Sequence, residues 1–229
     1  MTSIYGFSNL RIEEILTVAS ASVSNKRVGN DLFVFKFISY YKKYMESNRV
    51  AVFIDNSNIF HCLHDLRKID DKWVCLYNPL KLSQKLAGYR KIVYIGFYCV
   101  RPPSYLLAEG GYHEEQYKIA TRFYETIEKM PDITVKYGNL KGSKDNLIEK
   151  NVDTQISTDL VKMAAMNEYD IAILISNDGD YVSAAQSVQD TFKKKIEVGY
   201  FRSYISMNLK RVCDLSRRLR QAYFEKLTI

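Results

Sequence analysis

The stretch DIAILISNDGDY, residues 170–181, is an apolar run that leads into a polar turn with two aspartates. The run from Ile171 to Ile175 is short, rich in β-branched residues and without polar alternation, which predicts a strand buried on both faces. Such strands belong to parallel sheets, where ligands bind beyond the carboxyl ends of the strands. Asp178 and Asp180 follow that end. The stretch therefore predicts an α/β fold with an acidic site at one sheet edge.

Two further stretches place aspartates at the same predicted edge. In VAVFIDNSNIF, residues 50–60, another apolar run ends in Asp55. In KNVDTQISTD, residues 150–159, Asp153 stands where a loop meets a helix. Carboxyl ends of parallel strands share one edge, so these acids are predicted to meet. The predicted cluster consists of Asp55, Asp153, Asp178 and Asp180.

Carboxylates gathered at one site repel one another unless a cation lies between them. Oxygen-only ligands at an open site suit Mg²⁺ or Mn²⁺. Such ions activate water and stabilise the leaving oxygen in phosphodiester hydrolysis. Asp153 also has a structural alternative, because an acid in the first turn stabilises the start of a helix. The sequence contains neither a P-loop nor a glycine-rich dinucleotide motif that would suggest another chemistry.

Short apolar runs alternate with longer helical patterns along the main part of the chain, which predicts parallel βαβ units. We expect a three-layer α/β/α sandwich with a five-stranded, mainly parallel sheet. A polar loop is predicted over residues 139–151 and a final helix over residues 206–227. The five predicted strands span residues 50–55, 91–100, 133–138, 171–176 and 195–201.

Residues 1–48 differ from the main domain, which we place at residues 49–229. Helical patterns over residues 10–21 and 31–45 predict an N-terminal helical extension. The second pattern is aromatic on one side and basic on the other. We expect its aromatic face to pack on the main domain, because large aromatic faces are usually buried. The alternatives are a homodimer formed through these helices and stacking on nucleic-acid bases.

Basic residues are concentrated near the end of the sequence. Residues 193–229 hold ten lysines and arginines against three acidic residues, an excess equal to the net charge of +7 of the whole chain. A basic surface near an acidic site suits a phosphodiester substrate. The alternative is a helix whose charges only keep the protein in solution. The candidates for nucleic-acid contact are Lys141, Lys144, Lys210, Arg211, Arg217 and Arg218.

The cysteines and the apolar runs give expectations about the compartment. The four cysteines show no CxxC spacing, so neither a zinc site nor a disulfide framework is indicated. No apolar run approaches the ~20 residues of a membrane span. Residues 1–10 also lack the apolar core of a signal peptide. We therefore expect a cytoplasmic protein with free thiols and no membrane contact.

The three acidic motifs together resemble those of NYN-domain proteins, which are PIN-like ribonucleases. FIDNSNIF (53–60), KNVD (150–153) with the later Asp159, and SNDGDY (176–181) resemble the family's FID-x-x-N, K-G-x-D and S-G-D-x-D-F motifs in order and spacing. The resemblance extends over residues 50–219. It implies a PIN-like sheet and a divalent cation that supports hydrolysis of RNA.

The resemblance also implies roles for single residues. Asn58 would support the site, while Asp159 and Asp214 would be structural or lie behind the ligands. Lys150 is a further supporting candidate that could contact a phosphate. The acids that the resemblance makes both catalytic and metal-binding are Asp55, Asp153, Asp178 and Asp180.

Three positions depart from the family motifs. Asn151 and Asn177 stand where the family has glycine, and Tyr181 replaces a phenylalanine. Asparagine tolerates left-handed backbone better than most residues. We therefore expect both asparagines to keep the turn that glycine allows.

These observations leave three hypotheses. The first is a metal-dependent ribonuclease, with RNA preferred over DNA on the resemblance alone. The second is a non-catalytic RNA-binding or regulatory adaptor that keeps the PIN-like fold. The third is a phosphatase of the haloacid-dehalogenase type, which needs a second aspartate two residues after Asp55. Ser57 occupies that position, which counts against the third hypothesis.

Overall fold

The structure of the chain is a computed structural model that describes residues 48–143, 146–201 and 204–229. The predicted N-terminal helical extension lies outside the described residues apart from Asn48, and so does the candidate Lys144. No helix in the described ranges is both long and apolar enough to cross a membrane.

A six-stranded sheet forms the centre of the described domain, and every neighbouring pair in it is parallel. The strand order is β3-β2-β1-β6-β7-β8. A separate antiparallel hairpin is formed by β4 and β5. The strands are β1 (Arg49–Asp55), β2 (Lys91–Cys99), β3 (Thr134–Tyr137), β4 (Asn139–Ser143), β5 (Asn146–Lys150), β6 (Ile171–Ile175), β7 (Lys195–Tyr200) and β8 (Leu215–Arg218).

Seven α-helices accompany these strands in the described part of the chain. Asp55, Asn78 and Ser206 cap the starts of three of them with their side chains, as short polar residues commonly do. The helices are α1 (Asn56–Ile69), α2 (Pro79–Ala87), α3 (Tyr105–Glu109), α4 (Gly111–Glu128), α5 (Val152–Ala165), α6 (Val182–Phe192) and α7 (Met207–Val212).

Hydrophobic cores cover both faces of the sheet. Along β6, Ile171, Ile173 and Ile175 pack into one core cluster, while Ala172 and Leu174 pack into the other. All five are buried. Successive side chains of a strand point to opposite faces, so an uninterrupted apolar run is what a strand between two helical layers requires. The predicted three-layer, mainly parallel fold is confirmed.

The predicted strand count and the predicted loop over residues 139–151 were wrong. The sheet has a sixth strand, and the loop segment folds as the hairpin of β4 and β5. In β5, Leu147 and Glu149 are half-buried and alternate with exposed residues. This period of two is the pattern of a strand, although the polar composition of the segment had suggested a loop.

The predicted final helix over residues 206–227 was also wrong. Helix α7 ends at Val212, because Cys213 has extended backbone angles. The Asp214 carboxylate then accepts a hydrogen bond from the Ile196 N–H (2.8 Å), and the Asp214 N–H donates to the Ile196 carbonyl (2.8 Å). These bonds align the following residues with β7 as the parallel edge strand β8. Pairing with the sheet thus overrides the local helical pattern.

Candidate active site

Three aspartates meet at the carboxyl edge of the sheet. Asp153 lies in the first turn of α5, and Asp178 and Asp180 follow β6. One carboxylate oxygen from each lies within 4.8 Å of the others. Asp153 and Asp180 are exposed and Asp178 is partly exposed. Three of the four predicted acids therefore form an open cluster of oxygen atoms.

The turn after β6 sets the direction of two of these acids. The Asp178 carboxylate accepts a hydrogen bond from the Asp180 N–H (3.0 Å), and the Asp178 N–H donates to the Ser176 hydroxyl (3.1 Å). A 3-10 turn over Gly179–Tyr181 then leads into α6. A side chain at Gly179 would meet the Ser206 hydroxyl at 2.8 Å. Position 179 therefore has room for glycine but not for a larger residue. The turn brings Asp178 and Asp180 to the same side.

Asp55 lies behind this cluster, buried at 2% exposure. Its carboxylate caps α1 by accepting from the Asn58 N–H (3.1 Å), and it also accepts from the hydroxyls of Ser176 and Tyr181 (both 2.9 Å). Burial raises the pKa of the Asp55 carboxyl to about 6, although these three hydrogen bonds act in the opposite direction. Asp55 is not among the three residues whose oxygens converge.

The hydroxyl of Tyr181 joins the buried acid to the exposed cluster. It lies 2.9 Å from a carboxylate oxygen of Asp55 and 2.7 Å from one of Asp153. The phenol is itself buried. The phenylalanine of the family motif could not make either bond. The departure at this position therefore gives the chain a link between two acids of the site.

The two asparagines that replace glycines behave differently. Asn151 has a φ of 75° and precedes α5 in left-handed backbone, as predicted. Asn177 is not among the described residues with positive φ, so the turn at this position does not need left-handed backbone. Its buried side chain instead donates to Asn58 Oδ1 (3.1 Å) and Cys62 Sγ (3.1 Å) and accepts from the Phe201 N–H (2.8 Å). Asn177 thus connects the ends of β6 and β7 to α1.

Asn58 and Asp159 hold neighbouring parts of the site in place. Asn58 Oδ1 accepts from both the N–H and the side-chain amide of Asn177. The Asp159 carboxylate accepts from the Tyr98 hydroxyl and from Lys136 Nζ, each at 2.6 Å. Lys150 ends β5 and is exposed, two residues before α5.

The predicted basic contacts lie in two regions. Lys141 is exposed on β4 of the hairpin. Lys210 stacks over the Tyr200 ring at 5.2 Å, and its neighbour Arg211 in α7 is exposed. Arg217 and Arg218 end β8, which is parallel to β7, so they share the carboxyl edge with the acids. Arg217 also lies 3.5 Å from Glu197.

Sequence reasoning missed a fifth acid near the cluster. Glu149 of β5 is half-buried and accepts a hydrogen bond from the Ser57 hydroxyl at 2.5 Å. Burial raises the pKa of the Glu149 carboxyl, and the negative charge of Asp153 raises it further. The alternation of NLIEK, which places Leu147 and Glu149 on one face, is the sequence signal that could have identified it.

The profile of the NYN domain family matches residues 49–218, most of the chain. The chain belongs to the NYN domain family. NYN domains are PIN-like and are generally nucleases that use divalent metals. The resemblance seen in the three acidic motifs is thereby confirmed.

A solved structure supports the fold of this NYN domain. The chain is similar to a crystal structure of a protein of unknown function from Vibrio parahaemolyticus RIMD 2210633. The two are 17% identical with a TM-score of 0.56, and the match covers 77% of this chain and 95% of the other. At this identity the likeness shows a shared fold alone. A comparison with curated proteins gives no significant match.

Proposed function

We propose that this NYN domain is a metal-dependent ribonuclease. The observation that carries the proposal is the convergence of Asp153, Asp178 and Asp180, whose oxygens lie within 4.8 Å of one another on an open edge. None of the three has an ion-pair partner within residues 48–143, 146–201 and 204–229, and an all-oxygen donor set of this kind suits Mg²⁺ or Mn²⁺. A nuclease of this family fits such a site.

The residues of the site would have different roles. Asp153, Asp178 and Asp180 would hold the ion, which supplies an activated water and charge stabilisation for phosphodiester hydrolysis when bound. Asp55 adds a buried negative charge behind them, and Tyr181 ties it to Asp153. This arrangement limits the rotamers of Asp153, so that its carboxylate is held ready for the ion.

RNA is the proposed partner, with DNA as the alternative that the same chemistry admits. Cations near the acidic edge would neutralise the phosphates on either side of the cleaved bond. Arg217 and Arg218 share that edge, and Lys210 and Arg211 lie on α7, which packs beside the Asp178 turn. We propose a cytoplasmic location because the four cysteines are buried free thiols, as a reducing compartment favours.

The test compares the wild-type protein with Asp178→Asn on labelled single-stranded, duplex and hairpin RNAs and on matched DNAs. We expect cleavage that requires Mg²⁺ or Mn²⁺, stops in EDTA and falls at least about 100-fold in the variant, since even groups around a metal site contribute roughly 10- to 100-fold. The matched control is Asp190→Asn, because Asp190 is an exposed aspartate on α6.

The alternative hypothesis, a non-catalytic adaptor, makes the opposite prediction. RNA that binds but stays intact with every metal would favour the adaptor and contradict the ribonuclease. Cleavage that survives in Asp178→Asn would point to a contaminating nuclease. Equal cleavage of the RNA and DNA strands would keep the nuclease and remove the preference for RNA.

A further inference from the structure

An open groove lies beside Asp178, between α1 and the residues that precede α7. Its volume is about 490 Å³. Asn58, His61 and Asp65, which follow one face of α1 at spacings of three and four, form one wall, and residues 204–206 form the other. Asp178 is one of the three converging acids. A group bound in the groove therefore lies next to a proposed metal ligand.

Asn177 joins the two walls of this groove. Its side-chain amide donates to Asn58 Oδ1 and Cys62 Sγ of α1, each at 3.1 Å. Its carbonyl accepts a hydrogen bond from the Ser206 N–H of the other wall at 2.9 Å. Asn177 itself is buried. These bonds form a floor that fixes the spacing of the two walls.

Aromatic rings on both walls are open to solvent. Tyr204 is 42% exposed. On the facing wall, His61 is exposed, and its ring contacts the ring of Phe60 with 6.3 Å between the centroids. Phe60 is exposed too and stacks on His64 at 6.2 Å. Proteins hold unpaired bases by stacking them on such exposed rings.

The charge of the groove disfavours a phosphate. Two carboxylates, those of Asp65 and Asp178, line it, and no lysine or arginine of the described residues does so. A phosphate would need cations at this place, whereas a base is uncharged. The groove therefore suits the base of a nucleotide better than its backbone.

Asp65 offers an accessible acceptor for that base. Its side chain is 49% exposed, and Lys68 Nζ donates to its Oδ1 at 3.0 Å. Its second oxygen has no hydrogen-bond partner in the part of the chain that the structure describes. A carboxylate oxygen accepts from an exocyclic amine, which adenine, guanine and cytosine carry and uracil lacks.

We propose that this groove, the Tyr204 groove, holds one unpaired base of the RNA next to the cleaved bond. The base stacks on the Tyr204 ring, with His61 on the facing wall, and its exocyclic amine donates to Asp65. A base inside a duplex cannot enter, because its faces are stacked and its edge is paired. The proposal rests on the proposed ribonuclease function and adds to it a subsite that selects an unpaired, amine-bearing base.

The experiment measures binding rather than cleavage. A fluorescent single-stranded RNA is titrated with protein in EDTA and, separately, in Ca²⁺, which also takes oxygen ligands, and affinity is followed by anisotropy. One panel of RNAs carries a single abasic nucleotide at each position in turn. The proteins are the wild type, Tyr204→Ala, Tyr204→Phe and the matched control Tyr89→Ala. Tyr89 is an exposed tyrosine just before β2, at the opposite edge of the sheet.

One abasic position should weaken wild-type binding by about 5- to 150-fold, the range for loss of one base stacked on an aromatic ring. Tyr204→Ala should lose a similar factor on the intact RNA and should then be insensitive to that abasic position. Tyr204→Phe keeps the ring and should bind like the wild type, and so should Tyr89→Ala. Normal binding by Tyr204→Phe separates the loss of stacking from damage to the fold.

Asp65→Ala tests the selectivity for an amine. At the sensitive position, the natural base is replaced by an analogue that lacks the exocyclic amine. The wild type should bind this RNA about 10-fold more weakly, as expected for loss of a hydrogen bond to a charged group. Asp65→Ala should bind both RNAs equally, whereas the control Asp132→Ala, an exposed aspartate before β3, should discriminate like the wild type.

The outcomes separate this proposal from the ribonuclease itself. Wild-type affinity of Tyr204→Ala, or the lack of any sensitive abasic position, would overturn the groove as a base site while leaving the ribonuclease intact. Selectivity that survives in Asp65→Ala would overturn the role of Asp65. A sensitive position in an RNA that stays intact with Mn²⁺ would support the groove and contradict the ribonuclease. Failure of the wild-type protein to bind any RNA in either buffer would overturn both.

Discussion

Tyr181 places one hydroxyl between a buried carboxylate and an exposed one. Tyr181→Phe keeps the ring, which is buried in the core, and removes the hydroxyl that lies within hydrogen-bond distance of both carboxylates. We expect Mn²⁺ binding to weaken by about 10-fold, because groups that orient metal ligands typically contribute 10- to 100-fold to affinity. Isothermal titration calorimetry with Mn²⁺ measures this directly. The free energy of unfolding should change by only about 1 kcal/mol.

The matched control for this prediction is Tyr94→Phe. Tyr94 is a half-buried tyrosine of β2 whose hydroxyl pairs with the Tyr98 hydroxyl at 3.1 Å. Its loss should leave Mn²⁺ affinity unchanged. If Tyr181→Phe binds Mn²⁺ as tightly as the wild type, the hydroxyl does not position Asp153, and the phenylalanine of the family motif would serve equally well.

Some residues of the site could be predicted from the sequence and others could not. Asp153, Asp178 and Asp180 could be predicted because strand ends and helix starts follow from local patterns. Asn151 could be predicted because left-handed backbone is a local property. The buried side-chain contacts of Asn177 could not, because its partners Cys62 and Phe201 come from distant segments of the chain. The link made by Tyr181 was hidden for the same reason.

At the scale of elements, a buried ion pair connects α2 to the sheet. Arg90 follows α2 and donates to the Leu86 and Ala87 carbonyls, and its two terminal nitrogens contact Glu197 of β7 at 2.5 and 3.0 Å. Both side chains are at most 10% exposed. We expect Glu197→Leu to lower the free energy of unfolding by about 3–5 kcal/mol, because it leaves a buried guanidinium without its anion. Urea denaturation at neutral pH measures the change.

The double variant Arg90→Leu/Glu197→Leu is the control for this ion pair. Removing both charges eliminates the uncompensated guanidinium, so the double variant should be more stable than Glu197→Leu alone. If the stability losses of the two single variants simply add up in the double variant, the two side chains stabilise the fold independently and their charge–charge interaction contributes nothing.

Helices and strands could be predicted where the local sequence pattern alone determines the structure. Strands β1 and β6 have uninterrupted apolar runs, and their pairing in a parallel sheet followed. Residues 215–218 carry no such signal, and they form β8 only because the chain meets the exposed edge of β7 there. Hairpin β4–β5 is likewise a product of pairing between two polar segments, which composition does not reveal.

At the scale of the whole molecule, acidic residues at the two edges of the sheet differ in their ion pairing. At the amino edge, Asp170 precedes β6 and is paired with Arg49 at 2.9 Å and Lys194 at 3.4 Å. At the carboxyl edge, none of the three converging acids has an ion-pair partner among the described residues. Unpaired acids cost stability through mutual repulsion. The convergence of three such acids at the carboxyl edge fits the proposed cation site, whereas Asp170 has a structural role at the amino edge.

This difference predicts how pH acts on stability through Asp170. Hydrogen bonds and charge from Arg49 lower the pKa of the Asp170 carboxyl to about 2, against about 3.9 in an unfolded chain. A lowered folded-state pKa means that the contribution is present above about pH 4 and is lost as the pH falls through about 2. Asp170→Asn should therefore be less stable than the wild type at pH 7, by about 1 kcal/mol because the pair is partly exposed. The gap should close between pH 4 and pH 2 in urea titrations. The exposed Asp132→Asn is the control, and a gap that stays constant down to pH 2 would show that the ion pair does not stabilise this edge.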